Sequence, residues 1–270
     1  MMQAGISNAE NEMKWFLEWV HMRPFFEISL DVEEDENSPL FLERNDFVQK
    51  RTAGYPLQYI IGNWDFYGEV FQVGEGVLIP RQDTEVLIDA VLEKCGNSHG
   101  LSVADLCSGS GCIAVTLAKK LHNSNVTAIE ISEKAIGFLI KNAASHNVNI
   151  SVKYGNVLDE KTAKEFAGSQ FDIIVCNPPY LTESDMKNLQ KEVTFEPELA
   201  LFGGRDGLDF YKKITEIWKN SLRKNGMIFY ETGAGQHEKV KKILAENGFT
   251  NIGTVRDTGG IERVVYGISA

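Results

Sequence analysis

From residue 85 onward short apolar runs alternate with amphipathic stretches, and this rhythm constrains the fold more than any other feature of the chain. TEVLIDAVLEKC (84–95), GCIAVTLAKKL (111–121), SEKAIGFLIKNAASHN (132–147), GLDFYKKITEIWKN (207–220) and QHEKVKKILAENG (236–248) space their apolar residues as one helical face requires. Between them lie SVADLC (102–107), NVTAIE (125–130), NISVKYG (149–155), FDIIVC (171–176) and GMIFYE (226–231). Near-continuous apolar runs of this length suit strands buried on both faces, which occur where helical crossovers cover a parallel sheet. The expected fold is α/β, a doubly wound and mostly parallel sheet. FTNIGTVRD (249–257) and ERVVYGI (262–268), joined through Gly259 and Gly260, predict an antiparallel hairpin at one edge.

The first part of the chain has a different character. Residues 1–56 read as a small helical domain: Trp15, Phe16, Trp19 and Val20 share one helical face, and FLERNDFVQKRTAG forms a second helix with Gly54 as C-cap. LQYIIGNWDFYGEVFQVGEGVLI turns β-rich, so residues 57–84 are expected to form a β-hairpin linker to a catalytic domain over 85–270.

Composition narrows the function. The net charge is −11, and the N-terminal region, with its run DVEEDENSP, holds a disproportionate share of the acids. A protein that grips nucleic acid by itself normally carries a basic patch. Direct nucleic-acid binding is therefore not expected, and a basic partner or a small molecule is. No apolar run approaches the length of a membrane span, and no secretory signal is legible, so the chain is read as cytoplasmic, without a membrane partner and as a monomer. The four cysteines form no C-x-x-C pair and the five histidines are scattered, which suggests no metal site.

Two stretches carry chemistry. D105-L-C-S-G-S-G-C-I-A114 leaves a strand, turns on glycine and enters a helix, the place where an open α/β sheet holds a nucleotide-like ligand. Glu130 ends the next strand 19 residues beyond Gly111, where an acid meets a ribose diol. This pair alone leaves dinucleotide enzymes in contention. The second stretch, Asn177-Pro178-Pro179-Tyr180, follows FDIIVC directly. Two prolines fix φ twice and remove two backbone donors, so the Asn177 side chain and the Pro178 carbonyl stand as rigid acceptors at the sheet's carboxyl edge. A planar NH2 group can donate to both while Tyr180 stacks on it. Such a nitrogen is a poor nucleophile because its lone pair is delocalised, and two acceptors on its hydrogens favour the localised form and the positive charge that develops on methylation.

Taken together, the loop and the Asn-Pro-Pro-Tyr run resemble the amino-methyltransferase branch of the class I S-adenosylmethionine-dependent enzymes. PLQYIIG (56–62), FYG (66–68), VLIPRQDTE (77–85) and FEPELALFGGRDGLDFY (195–211) resemble more narrowly the peptide chain release factor glutamine methyltransferases of the HemK/PrmC type. The resemblance covers residues 42 to 267. It implies the class I methyltransferase fold and methylation of the glutamine N5 amide in the Gly-Gly-Gln loop of release factors. S-adenosylmethionine is the implied cofactor and a release factor the protein partner. It also implies cofactor contacts from Cys107, Ser108, Gly109, Ser110 and Gly111, a ribose contact from Glu130, adenine-side contacts from Asn156 and Val157, and Asn177 between cofactor and substrate. Asn177, Pro178 and Tyr180 are the implied catalytic residues; with Pro179 they hold the glutamine amide, and Phe66 forms an aromatic wall. Arg81 and Glu85 are read as structural ion-pair residues. The helices at 1–56 become the partner-recognition domain, whose acids at 33–36 match a basic factor. Two departures stand out: Cys107 replaces a loop glycine of many relatives and is strained if φ is positive, and Asn156 replaces a common Asp while keeping an amide oxygen for the adenine amine. An N6-adenine methyltransferase is the alternative enzyme, and a non-catalytic nucleotide-binding module the alternative of another class.

Overall fold

A computed structural model of the protein describes residues 1–6, 8–28, 38–96, 98–168 and 170–270. The acids at 33–36 lie outside the described residues. The chain begins with α1 (Ala9–His21) and α2 (Pro39–Thr52), the latter started by the Ser38 hydroxyl, which accepts from Phe41 N, and by Pro39 in its first turn. A small core joins them: Phe16 and Phe47 stack at 4.3 Å beside buried Leu57. Of the predicted aromatic face only Phe16 is buried; Trp15 and Trp19 stay 40% and 41% exposed.

Arg51 closes this unit. Only 2% exposed, it donates to both carboxylate oxygens of Glu12 (2.7 and 2.8 Å) and to Glu192 (2.8 Å), far along the chain. A bidentate pair uses the planar guanidinium fork, and the third contact ties α2 to the loop after Tyr180.

The linker differs from expectation at both ends. Leu57–Ile61 is a helical turn, α3, ended by Gly62 at φ 80°, and the residues after 72 form no strand. Apolar alternation misled here because α3 is too short to display a 3.6 period. Between them β1 (Asn63–Phe66) and β2 (Glu69–Gln72) make the expected hairpin.

Beyond α4 (Glu85–Cys95) the predicted rhythm holds. The strands are β3 (Ser102–Leu106), β4 (Asn125–Glu130), β5 (Ile150–Tyr154), β6 (Phe171–Cys176), β7 (Leu222–Glu231), β8 (Phe249–Arg256) and β9 (Glu262–Ser269). They form a seven-stranded sheet in the order β5-β4-β3-β6-β7-β9-β8, parallel except for β9, which pairs antiparallel with β7 and β8. Helices α5 (Cys112–Lys120), α6 (Glu133–Ser145), α9 (Asp209–Trp218) and α10 (His237–Glu246) cover its faces. Two short helices were not legible, α7 (Glu160–Glu165) and α8 (Glu183–Met186).

Strand β6 explains the layering. All six of its residues are buried, and alternation sends Ile173 and Val175 to one core while Ile174 and Cys176 enter the other. Each fully buried Ile or Val contributes roughly 1.5–3 kcal/mol, so the middle of the sheet is its most firmly held part. The order of strands reverses beside β3, and a crevice opens beyond the carboxyl ends of β3, β4 and β6.

Candidate active site

The crevice is floored by the turn between β3 and α5. Cys107 (φ 61°), Gly109 (φ 54°) and Gly111 (φ 80°) all take left-handed backbone angles. Cys107 therefore sits where glycine is easiest, and a Cβ there costs roughly 1–2 kcal/mol. The glycines do different work. A Cβ on Gly109 would meet nothing within 4 Å, so open space lies over its backbone, whereas one on Gly111 would lie 2.7 Å from the Leu139 side chain. Gly111 thus serves helix packing and does not line the crevice.

Glu130 locks the turn to the neighbouring strand. Its Oε2 accepts from Gly109 N, and its Oε1 from Ile131 N and Ser132 N, each at 2.8 Å. Two carboxylate oxygens offer about four acceptor positions, so one remains free. Cys107, Ser108, Gly109, Ser110, Glu130, Asn156 and Val157 line one continuous cleft with Asn177 and Pro179. Its space, open mouth included, is about 1070 Å³, ample for a cofactor. Asn156 Oδ1 accepts from Leu158 N at 2.9 Å, which orients the amide and leaves the second lone pair of that oxygen open. Val157 is buried, its carbonyl fixed by Trp218 Nε1 at 2.8 Å.

Asn177 follows β6 immediately and lines this cleft and a second, adjoining cavity, which also holds Pro178 and Tyr180. The Asn-Pro-Pro-Tyr turn is clamped from behind by backbone. A Cβ on Gly203 would lie 2.6 Å from Pro179 O, and one on Gly207 2.3 Å from Tyr180 O, while Gln236 Nε2 donates to Tyr180 O at 2.9 Å. Leu181 N to Leu201 O and Gly203 N to Leu181 O, both 2.9 Å, complete the clamp.

Phe66 is a correction. It is 1% exposed, packed edge-on against Phe71 within the core and absent from both cavities. As the last residue of β1 it falls on the buried face of the hairpin, so it walls no substrate.

The segment 79–85 straps the site together. Ile79 N donates to Glu196 Oε2 at 3.0 Å, and Arg81 pairs with Glu196 Oε1. Asp83 pairs with Arg263 at 2.9 Å, Thr84 Oγ1 accepts from Asn177 Nδ2 at 3.2 Å, and Glu85 accepts from Tyr67 N at 2.8 Å. Arg81 thus holds the ion pair expected of it, with Glu196; Glu85 does not, since among the described residues its carboxylate is held by the backbone N–H of Tyr67 and by no cation.

Residues 1–62 match the family described as PrmC N-terminal domain, and residues 82–197 match Methyltransferase small domain. A release factor glutamine methyltransferase of Geobacter sulfurreducens is 36% identical over 98% of this chain and 91% of its own length. The chain belongs to the release factor glutamine methyltransferases. Another member, from Thermodesulfovibrio yellowstonii, is 40% identical over 81% of this chain and 78% of its own. A solved methyltransferase of Pyrococcus furiosus, 15% identical with a TM-score of 0.55, covers 85% of this chain and 98% of its own, and shares the fold.

Beneath the cavities of this methyltransferase lie two buried carboxyls. Asp105, at the end of β3, is 0% exposed; burial pushes its pKa up to about 8, offset only in part by one backbone donor, Ala114 N. Glu231, at the end of β7, is 1% exposed; burial pushes it up to about 7, opposed by the Thr84 hydroxyl and the charge of Arg263. Tyr180 Oη lies 3.5 Å from Glu231 Oε1. Sequence reasoning missed Thr84, Glu196, Glu231 and Arg263. Glu231 alone gave a signal, since it ends a strand at the sheet's carboxyl edge as Glu130 does.

Proposed function

We propose that the enzyme transfers a methyl group from S-adenosylmethionine to the side-chain amide nitrogen (N5) of the glutamine in the Gly-Gly-Gln loop of peptide chain release factors. The observation that carries this reading is that Asn177 lines both cavities, with the glycine turn on one side and Pro178 and Tyr180 on the other. The residues of the first cleft fit a nucleoside ligand: backbone left uncovered at Gly109, a carboxylate at Glu130 with an acceptor position to spare, and Asn156 at the far end. Ser108 to Ser110, Glu130, Asn156 and Val157 hold the cofactor. When bound, S-adenosylmethionine supplies an electrophilic methyl on a sulfonium centre.

The chain's own residues then act on the acceptor. Asn177 Oδ1 and the Pro178 carbonyl accept the two amide hydrogens, localise the nitrogen lone pair and favour the charge that develops on it. Tyr180 bounds the amide plane and the two prolines keep the acceptors from swinging away. No strong base is needed, since the methylated nitrogen sheds its proton readily. Residues 1–56 are assigned to recognition of the factor, 57–84 to the linker and 85–270 to catalysis.

The test is methyl transfer from labelled S-adenosylmethionine to three acceptors: a purified release factor, the same factor with its loop glutamine changed to alanine, and double-stranded DNA. Label on the intact factor alone is the expected result. Label on DNA alone overturns the substrate assignment in favour of an adenine enzyme.

A further inference from the structure

The loop that follows the Asn-Pro-Pro-Tyr turn has two faces. Leu189, Gln190 and Val193 line the second cavity together with Asn177, Pro178 and Tyr180. Lys191, Glu192 and Phe195 meet the N-terminal helical unit instead. Glu192 accepts from Arg51 Nη2 at 2.8 Å, and Phe195 packs edge-on against Tyr55 at 5.3 Å. A Cβ on Gly54 would lie 2.7 Å from the Lys191 side chain, so the lysine stem crosses bare backbone just beyond α2.

One of these contacts is the loop's polar anchor. Among the described residues, the only hydrogen bond from 187–195 that leaves the segment 183–196 is the one between Glu192 and Arg51. Burial of Arg51 does not require it. The guanidinium is already neutralised by Glu12, 8% exposed, which accepts from Nε and Nη2 at 2.7 and 2.8 Å. The Glu192 carboxylate is half in solvent, where an added ion pair contributes little net stability. Direction is what it supplies. The two bonds to Glu12 fix the plane of the fork, and the second hydrogen of Nη2 is left aimed at the loop.

We infer that Glu192 is a positioning residue: seated on Arg51, it fastens one wall of the acceptor cavity to the N-terminal helical unit and so sets how the glutamine amide is held against Asn177. The inference rests on the reading above that the second cavity takes the acceptor glutamine. Glu192 lines neither cavity and acts through its neighbours in the loop. Residues 1–56 thereby shape the site of methyl transfer, beyond any grip they have on the body of the factor.

The experiment compares the full chain with Glu192→Ala and Glu192→Gln, using a release factor as acceptor. Calorimetric titration with S-adenosylmethionine alone and thermal denaturation are readouts independent of turnover. Glu192→Ala is expected to lower kcat about tenfold, because a displaced wall lets the amide leave its line of attack. KM for the factor and Kd for the cofactor should stay within about twofold, since uniform binding is untouched. Tm should move by no more than about 3 °C, as for a half-exposed ion pair. Glu192→Gln loses the same charge, keeps an acceptor oxygen of equal reach for Arg51, and should recover most of the kcat. A Glu192→Ala enzyme with wild-type kcat overturns the inference, as does a Glu192→Gln enzyme as slow as Glu192→Ala. A raised KM at unchanged kcat overturns it in favour of a contact that only binds the factor. A parallel loss of cofactor affinity, or a Tm lowered by more than about 10 °C, overturns it in favour of a general structural role. Undiminished kcat in Asn177→Ala overturns the reading of the cavity itself, a failure separate from that of the Glu192 variants.

Discussion

Asp105→Asn tests the electrostatics under the glycine turn. Asp105 is 0% exposed, its Oδ2 accepts one N–H from Ala114 at 3.1 Å, and its Oδ1 has no partner among the described residues. Desolvation, with a smaller push from the Glu130 carboxylate, raises its pKa from the ordinary 3.8 to about 8. The sign follows from linkage. Between those two values the native state holds a proton that the unfolded chain has released, so this group's contribution to stability is whole below about pH 4 and is lost as pH rises through about 8. The slope across the window is about 1.4 kcal/mol per pH unit, on the order of 5 kcal/mol in total. Asparagine resembles the protonated acid and cannot ionise, so the variant lacks the slope. From pH 5.5 to 8 it should gain about 3 kcal/mol on the wild type. Urea denaturation of both proteins at four pH values reads this directly. Glu231 titrates in the same window but does so in both, and cancels in the difference. A difference between the two proteins that stays within about 0.5 kcal/mol across the range would mean that Asp105 ionises normally in the fold, and the desolvation reasoning would be refuted.

Gly203→Ala drives a methyl group into Pro179 O and Tyr180 Cα, at 2.6 and 2.7 Å; displacement of the turn is expected to cost about 1–3 kcal/mol of stability and at least about tenfold in kcat, seen as a fall in turnover with cofactor affinity retained. Cys107→Gly relieves the left-handed backbone at φ 61° and should raise stability by up to about 1 kcal/mol, after the extra chain entropy of glycine is offset, by denaturant titration. Arg51→Met leaves Glu12, 8% exposed, without its cation; a loss of about 3–5 kcal/mol is expected, and Glu12→Gln in the same chain should recover part of it in thermal denaturation.

The sheet and its crevice were legible because burial on two faces writes a continuous apolar run, and FDIIVC sits wholly inside as that run demands. The turn at 107–111 and the Asn177–Tyr180 stretch were legible because glycine and proline act through the local chain, which a sequence records directly. What stayed hidden depends on partners distant in sequence. Thr84 and Asn177 are 93 residues apart, and nothing local marks either as half of a pair. Phe66 misled because an aromatic residue in a β-hairpin reads the same whether its face turns to the core or to a cleft. The five residues at 57–61 were read as strand because five positions cannot separate a period of two from one of 3.6. Gly111 was placed on the ligand when its bare Cα instead admits Leu139.

Leu106 pairs with Cys176 across adjacent parallel strands, so Cys107 and Asn177, the first residues beyond each, leave the sheet on neighbouring rungs. Under the proposed function, the cofactor and acceptor sides of the site are therefore gauged by a single inter-strand step of about 4.8 Å. Loops at the rim set what is held on each side, and the ladder sets how far apart. Lengthening a loop changes the grip and leaves this spacing alone. A slip of one residue between β3 and β6 would turn Asn177 to the opposite face of the sheet, so the gap between donor and acceptor has no intermediate setting to drift toward.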